Sequence, residues 1–464
     1  MAVATRPGVR VVRPAAQLRG EVTVPGDKSI THRAVMLNAV ARGTATVTGA
    51  GLGADCLSTA ACMRALGATV RRRWPGGELT DDLRRNPATG QDERADAVLV
   101  VEGRGTRGLC EPADVLDAGN SGTTARLLTG ILAAQPFLSV LTGDASLRSR
   151  PMGRVIEPLR RLGARLAARD GDRLLPLAAM PASLRGAHLE ISVASAQLKS
   201  CLLLAGLYAD GVTQIAQPEE SRDHTERMLG AQGARIERDG RTLRIHGLTQ
   251  HESLRAIDVI VPGDISSAAF WLVAGCVHPN ARVLVRNVGI NPTRTGILDV
   301  LREMGGRITL ENERIAGGEP VADVIAESSE LRAVDVGGAL IPRLIDEVPV
   351  LAVAAAVARG TTTVRDAAEL RVKESDRLAA TARELSALGA RVTELDDGLV
   401  IEGGTLRGGE VESHDDHRMA MSLAVAALAA GAPALIAGGE CVDISYPTFW
   451  PDLERLAPGS TREA

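Results

Sequence analysis

Lysine is rare among the basic residues of this chain, and its few positions are candidate sites for chemistry. Only Lys28, Lys199 and Lys373 are lysines among 53 lysine and arginine residues. A compact ammonium group has a pKa that responds to its surroundings, whereas a guanidinium group stays charged. The composition therefore predicts that Lys28 and Lys373 are needed as ammonium groups, while chance retention explains Lys199 equally well.

Four motifs in the first half of the chain place polar or basic side chains at predicted helix starts or in turns. They are GDKSITHR with Lys28, Ser29 and Arg33, DAGNSGTTAR with Asn120, Ser121, Gly122 and Thr123, TGDASLRSRPMGR with Arg148, Arg150 and Arg154, among which spacing does not choose, and SVASAQLKS with Ser195, Gln197 and Lys199. Main-chain amides at a helix start, together with a lysine or arginine, can bind a phosphate or a carboxylate. An ordinary helix cap or a solvated basic loop explains each motif equally well when it is taken alone.

Three motifs in the second half combine carboxylates with further bases. They are LIDEVPVLAVAAAVA with Asp346 and Glu347, ELRVKESDRL with Lys373, Glu374 and Arg377, and SHDDHRMAMSLAV with His417 and Arg418 after an aspartate cap. A carboxylate beside buried apolar surface can have an altered proton affinity, which suits acid–base chemistry. A salt-bridged surface explains any one of these motifs but hardly all three.

A recurring phrase indicates which elements position these residues. It reads MRALGATVRRR from Met63 and returns as LRRLGARLAAR, LGAQGARIERD, LREMGGRITLE and LSALGARVTEL. Each copy is typical of the end of an amphipathic helix, a glycine stop and a following strand. Six polar segments introduce a further helix upstream, so the sequence predicts six α/β units.

Two similar segments divide these units into halves. VTVPGDKSITHR from Val22 is similar to VIVPGDISSAAF from Val259. We predict an N-terminal domain of residues 27–262 and a discontinuous C-terminal domain of residues 1–26 plus 263–464, with three repeats in each. Gly26 and Gly263 are the expected hinge positions.

Residues 71–96 interrupt the first repeat. The segment is charged, rich in proline and glycine, and aperiodic. Such a composition predicts an exposed, mobile insertion between two strands that takes no part in catalysis.

Charge and cysteine content exclude several classes of function. A net charge of −4 and a pI near 6.1 give no basic excess for nucleic acid or an anionic membrane surface. The six cysteines form no CxxC pair, which argues against a zinc site and a disulfide framework.

The first residues lack the apolar core of a signal peptide, and the apolar run from Met419 to Gly439 is broken by Gly431 and Pro433. We expect a cytoplasmic monomer without metal, cofactor or membrane span.

Taken in order, the motifs resemble those of the 5-enolpyruvylshikimate-3-phosphate synthase family over nearly the full chain. They are PGDKSITHR, GNSGTTAR, SRPMG, SAQLKS, SRDHTERM, LIDEVPVLA, RVKESDR and DDHRMAM. The resemblance implies an α/β fold, a two-domain inside-out α/β barrel with three βαβαββ units in each domain and an active site in the cleft between the domains. It implies transfer of the enolpyruvyl group of phosphoenolpyruvate to the 5-hydroxyl of shikimate 3-phosphate, with release of phosphate, on the pathway to chorismate and the aromatic amino acids.

The resemblance also assigns residues to the two substrates. Those expected to bind shikimate 3-phosphate are Lys28, Ser29, Arg33, Ser195, Ala196, Gln197, Arg222, Asp346 and Lys373. Those expected to bind phosphoenolpyruvate are Lys28, Gly122, Arg150, Gln197, Arg377 and Arg418.

In the family's reaction, the methylene carbon of phosphoenolpyruvate is protonated while the hydroxyl attacks the neighbouring carbon. Glu374 is expected to exchange the proton at the methylene carbon, Asp346 to act as base toward the hydroxyl, and Lys28 to stabilise developing charge.

Four positions bear on how this chain compares with the family that it resembles. Gly122 stands where an added methyl group makes some relatives insensitive to glyphosate, so we expect competitive inhibition with phosphoenolpyruvate. Ile444 replaces a lysine that several relatives carry and removes a possible phosphate contact. In the motif SRDHTERM, Arg222 and His224 stand where some relatives have a tyrosine-containing version of the segment.

Two alternative functions remain open at this point. One is the related transfer of enolpyruvyl to UDP-N-acetylglucosamine. That enzyme commonly has a reactive cysteine where this chain has Ala145, and Lys-Asn where this chain has Lys28 and Ser29. The other is a non-catalytic repeat scaffold, which gives no reason for lysine to persist beside acids at Lys28 and Lys373.

Overall fold

A computed structural model describes residues 8–93 and 97–464. Within these residues the strands are β1 (Arg10–Val12), β2 (Leu18–Thr23), β3 (Arg42–Ala50), β4 (Thr69–Arg73), β5 (Leu79–Thr80), β6 (Ala97–Arg104), β7 (Leu116–Asp117), β8 (Ser139–Thr142), β9 (Arg165–Ala168), β10 (Leu174–Met180), β11 (His188–Glu190), β12 (Val212–Ala216), β13 (Ile236–Asp239), β14 (Thr242–His246), β15 (Val259–Ile260), β16 (Ala281–Gly289), β17 (Arg307–Ala316), β18 (Glu319–Glu327), β19 (Asp335–Val336), β20 (Thr361–Val364), β21 (Arg391–Leu395), β22 (Gly398–Glu402), β23 (Gly409–Glu412), β24 (Ala434–Ala437) and β25 (Thr461–Glu463).

The α-helices of the same residues alternate with these strands. They are α1 (Lys28–Ala39), α2 (Ala54–Ala65), α3 (Gly122–Leu132), α4 (Gly153–Arg161), α5 (Arg169–Asp172), α6 (Ala196–Gly206), α7 (His224–Ala231), α8 (Ile265–Val277), α9 (Gly296–Glu303), α10 (Ile341–Leu344), α11 (Val348–Val357), α12 (Arg377–Ala387), α13 (His417–Leu428) and α14 (Phe449–Leu456). No helix in this part of the chain has both the length and the apolarity that a membrane crossing requires.

The chain forms two compact units. The first unit is Gly26–Val261, and the second unit combines the described residues up to Pro25 with Pro262–Ala464. The chain passes from one unit to the other after β2 and again after β15. β2 pairs in parallel with β16, and β15 pairs in parallel with β3. One sheet in each unit is therefore completed by a strand that is distant in sequence.

One strand order recurs in the six sheets of the described residues. In the sheet of β7 to β10, the short edge strand β7 is parallel to β8, β8 is antiparallel to β10, and β10 is antiparallel to β9. The sheet of β11 to β14 repeats this order, as does the sheet of β19 to β22. The predicted α/β class and its βαβαββ repeats are confirmed.

The first helix of each repeat forms the core of its unit. In α8, every residue from Ile265 to Cys276 is buried, and the helix packs against β16 and β18 of its own sheet and against α11 and α13. A helix that is apolar on all sides belongs inside a core rather than at its surface. The second helix of each repeat lies further out and ends as predicted, with Gly163 after α4 and Gly389 after α12 at φ +100° and +90°.

Part of the segment expected as an exposed insertion is instead built into a sheet. Arg71–Arg73 belong to β4, and Leu79–Thr80 form β5, which pairs with it. Arg72 is buried, and its guanidinium lies 3.7 Å from the centre of the Trp74 ring. Arginine stacking on an aromatic face can occupy an inward position that the charge pattern assigns to solvent. Residues 94–96 of the segment lie outside the described residues.

The two expected hinge glycines lie where backbones approach closely. A Cβ atom at Gly26 would lie 1.9 Å from the carbonyl oxygen of Gly49, and one at Gly263 would lie 2.9 Å from a methyl of Val24. Glycine is therefore required at both positions by lack of space. Their role as hinges stays a prediction.

Candidate active site

Three helices of the first unit begin with a side chain that caps the first turn. The caps are Asp27 on α1, Ser121 on α3 and Ser195 on α6, which accept hydrogen bonds from the backbone N–H groups of Ile30, Thr124 and Leu198. The predicted binding residues follow each cap directly, because the first helical positions are Lys28 and Ser29, Gly122, and Ala196 and Gln197. Helix N-termini present N–H groups and a positive dipole end, which suit anionic ligands.

Lys28 lies beside an acid that its motif does not contain. Its ammonium nitrogen is 2.9 Å from Oδ2 of Asp55 at the start of α2, and the two side chains are 20% and 7% exposed. Ser29 accepts a hydrogen bond of 3.3 Å from Arg222 through its hydroxyl oxygen. Lys28, Ser29 and Arg222 were predicted from the sequence, whereas Asp55 was not, since an isolated aspartate 27 residues away from Lys28 carries no local signal.

Arg33 is held by protein groups on three sides. Its guanidinium donates to the hydroxyls of Thr225 at 2.7 Å and Ser200 at 2.8 Å, and to the carbonyl oxygen of Ser29 at 2.9 Å. The side chain is buried and ties α1 to α6 and α7. This arrangement gives Arg33 a structural role, and direct contact with shikimate 3-phosphate stays a prediction.

Gly122 lies beside a buried arginine that the sequence analysis did not select. A Cβ atom at Gly122 would lie 2.6 Å from Nη1 of Arg126, one turn further along α3. Arg126 Nη1 donates to Oε1 of Gln197 at 2.9 Å, and Gln197 donates to the hydroxyl of Thr123 at 3.0 Å. The spacing of four residues on a predicted helix was an available signal for Arg126.

Arg150 follows the 3-10 turn of residues 147–149 and is buried, whereas Arg148 of the same motif is exposed. Its Nη2 atom donates to Oδ1 of Asn120 at 2.6 Å and to the hydroxyl of Ser146 at 2.9 Å. Gly122 is its near neighbour, since a Cβ atom there would lie 3.7 Å from Nη1 of Arg150. Of the three arginines in this motif, Arg150 is buried, Arg154 half-buried and Arg148 exposed. Contact of Arg150 with phosphoenolpyruvate stays a prediction.

These residues lie near the starts of α1, α2, α3 and α6 or just before α4 and α7, and they make three sets of contacts: Lys28 with Asp55, Ser29 with Arg222, and the two arginines beside Gly122 with the amides of Gln197 and Asn120. We call them together the Lys28 cluster. Its members are Lys28, Ser29, Asp55, Asn120, Gly122, Arg126, Arg150, Gln197 and Arg222.

The contacts of Lys199 explain why a lysine stands at this position. Its ammonium group is buried, lies 2.6 Å from Oε1 of Glu226 and donates to the carbonyl oxygen of Ser221 at 2.9 Å. Burial lowers its pKa, and the neighbouring Glu226 partly opposes that effect. The contacts of Lys199 join α6 to α7 and the segment before it, which is a structural role.

A second polar group, in the second unit, surrounds Arg377 at the first position of α12. The guanidinium is 1% exposed and contacts three carboxylates. Its shortest distances are 2.7 Å to Glu374, 2.7 Å to Asp416 and 3.4 Å to Asp346. Lys373 adds a further cation, with its nitrogen 3.6 Å from Oδ1 of Asp346. We call these residues, with Arg418, the Arg377 cluster.

The pKa values in this cluster follow from burial and charge together. Burial lowers the pKa of Lys373, and the carboxylate of Asp346 opposes that shift. Burial would also lower the pKa of Arg377, but Asp416 and Glu374 outweigh it and raise the pKa. Burial acts to raise the pKa of Asp416, but the facing guanidinium of Arg377 lowers it. The pKa of Asp416 therefore lies below its usual value.

Asp416 also positions Arg418. As the cap of α13, it accepts a hydrogen bond of 2.9 Å from the backbone N–H of Arg418, whose side chain is 7% exposed. The predicted cap is confirmed, but its ion pair with Arg377 was missed because 39 residues separate the two. Ile444, at the end of a 3-10 turn, packs against the apolar core of this unit.

Comparisons with known proteins agree with this geometry. Residues 12–453 match the family model of EPSP synthase (3-phosphoshikimate 1-carboxyvinyltransferase). The chain belongs to the EPSP synthase family. A 3-phosphoshikimate 1-carboxyvinyltransferase of Synechococcus sp. (strain JA-3-3Ab) is 54% identical over 461 residues, which cover 98% of each chain.

Solved structures extend the comparison to the fold. An EPSP synthase from Acinetobacter baumannii is 41% identical with a TM-score of 0.81, and the match covers 98% of this chain and 99% of that one. The enolpyruvyl transferase NikO from Streptomyces tendae shares the fold at 21% identity and a TM-score of 0.75, over 99% of each chain. The expected family is confirmed, and the chain is an enolpyruvyl transferase enzyme of this family. Membership argues against both the UDP-N-acetylglucosamine enzyme and the non-catalytic scaffold.

Proposed function

We propose that this enzyme transfers the enolpyruvyl group of phosphoenolpyruvate to the 5-hydroxyl of shikimate 3-phosphate and releases phosphate. The observation that carries the assignment of residues is the contact of Glu374 and Asp346 with one buried guanidinium, that of Arg377. Groups that can exchange protons thereby lie beside a group that can bind an anion, as an enolpyruvyl transfer needs.

Shikimate 3-phosphate is bound in this proposal by a mixture of cations and uncharged donors. The residues are Lys28, Ser29, Arg33, Ser195, Ala196, Gln197 and Arg222 of the first unit, with Asp346 and Lys373 of the second unit. The capped starts of α1 and α6 support this assignment, because their N–H groups suit a phosphate and their side chains suit ring hydroxyls.

In this proposal phosphoenolpyruvate is bound by four cations together with Gly122 and Gln197. The residues are Lys28, Gly122, Arg150, Gln197, Arg377 and Arg418. The side chains of Arg150, Arg377 and Arg418 are 10% exposed or less, which favours ordered hydrogen-bond donors over solvated charges.

Bond formation and proton transfer are assigned to three residues. The shikimate oxygen forms a bond to the carbon that carries the phosphate, the methylene carbon takes up a proton, and the hydroxyl proton passes to a base. Glu374 exchanges the proton at the methylene carbon, Asp346 acts as base, and Lys28 stabilises developing charge. Loss of a proton from the new methyl group and departure of phosphate then restore the double bond in the product.

The hydrogen bond between Glu374 and Arg377 supports this division of roles. In the structure the guanidinium holds the Glu374 carboxylate at 2.7 Å. An anionic substrate that binds Arg377 takes over part of this hydrogen bonding and leaves Glu374 available to exchange a proton.

We further propose that the enzyme acts as a monomer in the cytoplasm. Six cysteines without a CxxC pair support a reducing compartment. Equilibrium sedimentation of the purified chain tests whether it is a monomer. Fractionation of the producing cells tests whether it lies in the cytoplasm.

A phosphate-release assay tests the proposed function. We expect release that requires both substrates, and loss of at least about a hundredfold in kcat in the Glu374→Gln variant, the range for a lost general acid or base. Lys28→Met should lower kcat/KM for both substrates.

Glu394→Gln is the matched control. Glu394 pairs with Arg371 at the surface of the second unit, 2.8 Å away, so this variant makes the same chemical change outside the Arg377 cluster. Release of phosphate without shikimate 3-phosphate would contradict the proposed reaction. Full activity of Glu374→Gln would contradict the role of Glu374.

A further inference from the structure

The turn that leads into α13 has an unfavourable backbone conformation. His414 and Asp415 have φ angles of +56° and +54°, in the left-handed region. Residues other than glycine adopt this region at a steric penalty, and two in succession persist only where their surroundings hold them. The turn is followed directly by Asp416 and Arg418 of the Arg377 cluster.

Helix α12 holds this turn at two places. Near its start, Arg377 binds Asp416 at 2.7 Å. Two turns later, Glu384 accepts the backbone N–H of Glu412 at 3.0 Å and contacts Nε2 of His414 at 2.7 Å. A spacing of seven residues places Arg377 and Glu384 on the same helix face. One face of α12 therefore contacts the chain both before and after the left-handed residues.

Two side chains of α12 contact the ring of His414. Oε1 of Glu384 lies 2.7 Å from Nε2, and Nη2 of Arg383 lies 2.8 Å from Nε2 and 3.1 Å from Nδ1. Glu384 is 5% exposed and the His414 side chain 17%. This contact is thus largely shielded from competing water.

The other side of the turn is fixed to β24. Ser413 donates from its backbone N–H to the carbonyl oxygen of Ala437 at 3.0 Å and from its hydroxyl to that of Gly438 at 3.0 Å. The N–H of Asp416 in turn donates to the carbonyl oxygen of Ser413 at 3.0 Å. Ser413 and Asp416 are thus both held by hydrogen bonds. The contact between His414 and Glu384 then fixes the backbone conformation of residues 414 and 415, which lie between them.

We propose that Glu384 and His414 are positioning residues that hold the left-handed turn and thereby place Asp416 and Arg418 for phosphoenolpyruvate. This inference rests on the proposed function, because it assumes that Arg377 and Arg418 bind that substrate. Without the Glu384 contact, residue 414 relaxes toward the ordinary α or β regions. Asp416 then moves away from Arg377, and the start of α13 moves with it.

Two substitutions at one position separate this role from a merely stabilising one. His414→Ala and His414→Gly both remove the imidazole, but only alanine carries the steric penalty in the left-handed region. We expect His414→Ala to raise KM for phosphoenolpyruvate about tenfold relative to His414→Gly, the factor that this penalty predicts. KM for shikimate 3-phosphate should stay within about twofold of the wild type, since the turn leads to no other residue assigned to that substrate.

Asn312 provides a matched control in the same unit. It has a φ of +54° at the irregular pairing of β17 with β18, outside the Arg377 cluster. Asn312→Ala carries the steric penalty of the left-handed region and Asn312→Gly does not, so the two variants should differ in melting temperature. Both should keep the wild-type KM values. A difference in KM between these two variants would show that general loss of stability produces the effect.

Hydrogen exchange gives a reading that does not depend on activity. Amides of residues 412–418 should exchange faster in His414→Ala and in Glu384→Ala than in His414→Gly. Equal KM values and equal exchange in the two His414 variants would overturn the inference. A wild-type enzyme that releases no phosphate would instead overturn the proposed function, and the exchange comparison would still decide whether Glu384 and His414 hold the turn.

Discussion

Buried arginines of the two clusters have different partners, although Lys28 of the first cluster also contacts a carboxylate, that of Asp55. In the Lys28 cluster, Arg126 and Arg150 donate to the side-chain amide oxygens of Gln197 and Asn120. In the Arg377 cluster, the guanidinium of Arg377 meets three carboxylates. Amide oxygens orient a guanidinium without compensating its charge, whereas carboxylates compensate it and raise its pKa.

This difference teaches how one repeat can serve two chemical tasks. Capped helix starts recur in both units, so the backbone presents similar N–H groups in each. The partners then decide the chemistry. Amide partners suit the holding of an anion, and carboxylate partners suit proton exchange because a bound anion and an internal acid compete for the same guanidinium.

The largest expected effect comes from making the same substitution in both clusters. Arg377→Lys should lower the free energy of unfolding by about 3–5 kcal/mol, because one ammonium cannot satisfy the buried carboxylate of Asp416 together with the half-buried carboxylates of Glu374 and Asp346. Arg150→Lys should lower it by about 1 kcal/mol, the usual value of a lost hydrogen bond. Urea denaturation measures both, and equal losses would break the comparison.

The next effect comes from placing a second carboxylate in the Lys28 cluster, beside Arg150 rather than beside Lys28, which already contacts Asp55. Asn120→Asp places an anion against Arg150 and also beside Asp144, which now accepts a hydrogen bond from the Asn120 amide at 2.7 Å. We expect KM for phosphoenolpyruvate to rise about tenfold, since the new carboxylate competes with the substrate for Arg150. Asn120→Ala, which adds no charge, is the control and should raise KM less in steady-state kinetics. A larger rise in the alanine variant would show that orientation matters more than charge.

A smaller effect is expected where Gly122 meets Arg126. The wild-type enzyme should be inhibited by glyphosate in competition with phosphoenolpyruvate. Gly122→Ala should weaken inhibition and raise KM for phosphoenolpyruvate a few-fold, because the methyl group displaces Arg126 from Gln197. Gly230→Ala on α7, where a Cβ atom meets nothing within 4 Å, is the matched control. Rates unaffected by millimolar glyphosate in the wild type would contradict the expectation.

The smallest expected effect is a difference between the two units in how far their stability falls in acid. Burial, with the charges of Lys28 and Arg33, lowers the pKa of His32 well below its ordinary 6.5. The unfolded chain therefore binds more protons than the folded chain below about pH 6.5, and stability falls as the pH drops through that window. The pKa of Asp416 lies below its ordinary 3.8, so its contribution is lost only under more acidic conditions.

Hydrogen exchange at a series of pH values tests this order. Protection of α1 should begin to fall near pH 6.5, and protection of α13 should persist to about pH 4, near the ordinary values of the two groups. His32→Asn should remove the earlier loss. Simultaneous loss of protection in both helices, with and without this substitution, would contradict the assignment.

Much of the candidate site was accessible from the sequence because its signals are local. A cap before an apolar run places Lys28, Gly122 and Gln197 at helix starts, and the structure confirms those starts. Asp55 and Arg126 were missed although each contacts a predicted residue. Asp55 lies within no motif, and a contact between separate helices leaves no periodic trace. Arg126 ends the motif DAGNSGTTAR, and its four-residue spacing from Gly122 was an available signal.

The buried charges were the hardest features to predict. Arg72 falls in the segment predicted to be exposed, and Arg33 was predicted to bind a ligand, yet both are buried among protein groups. Their polar ends meet hydroxyls and carbonyl oxygens contributed by distant segments, such as Thr225 and Leu83. Burial of a charge is tolerable only when such partners are supplied, and the order of residues alone does not supply them.

The order of residues by itself determined the repeats, the helix caps, the glycine stops and the family, because each of these depends on near neighbours or on motif order. Only the tertiary structure decided which partner each charge receives, Asp416 for Arg377 and Asn120 for Arg150. The reason is physical: electrostatic energy depends on separation in space, and segments 30 or 39 residues apart meet only once the sheets and buried helices have packed.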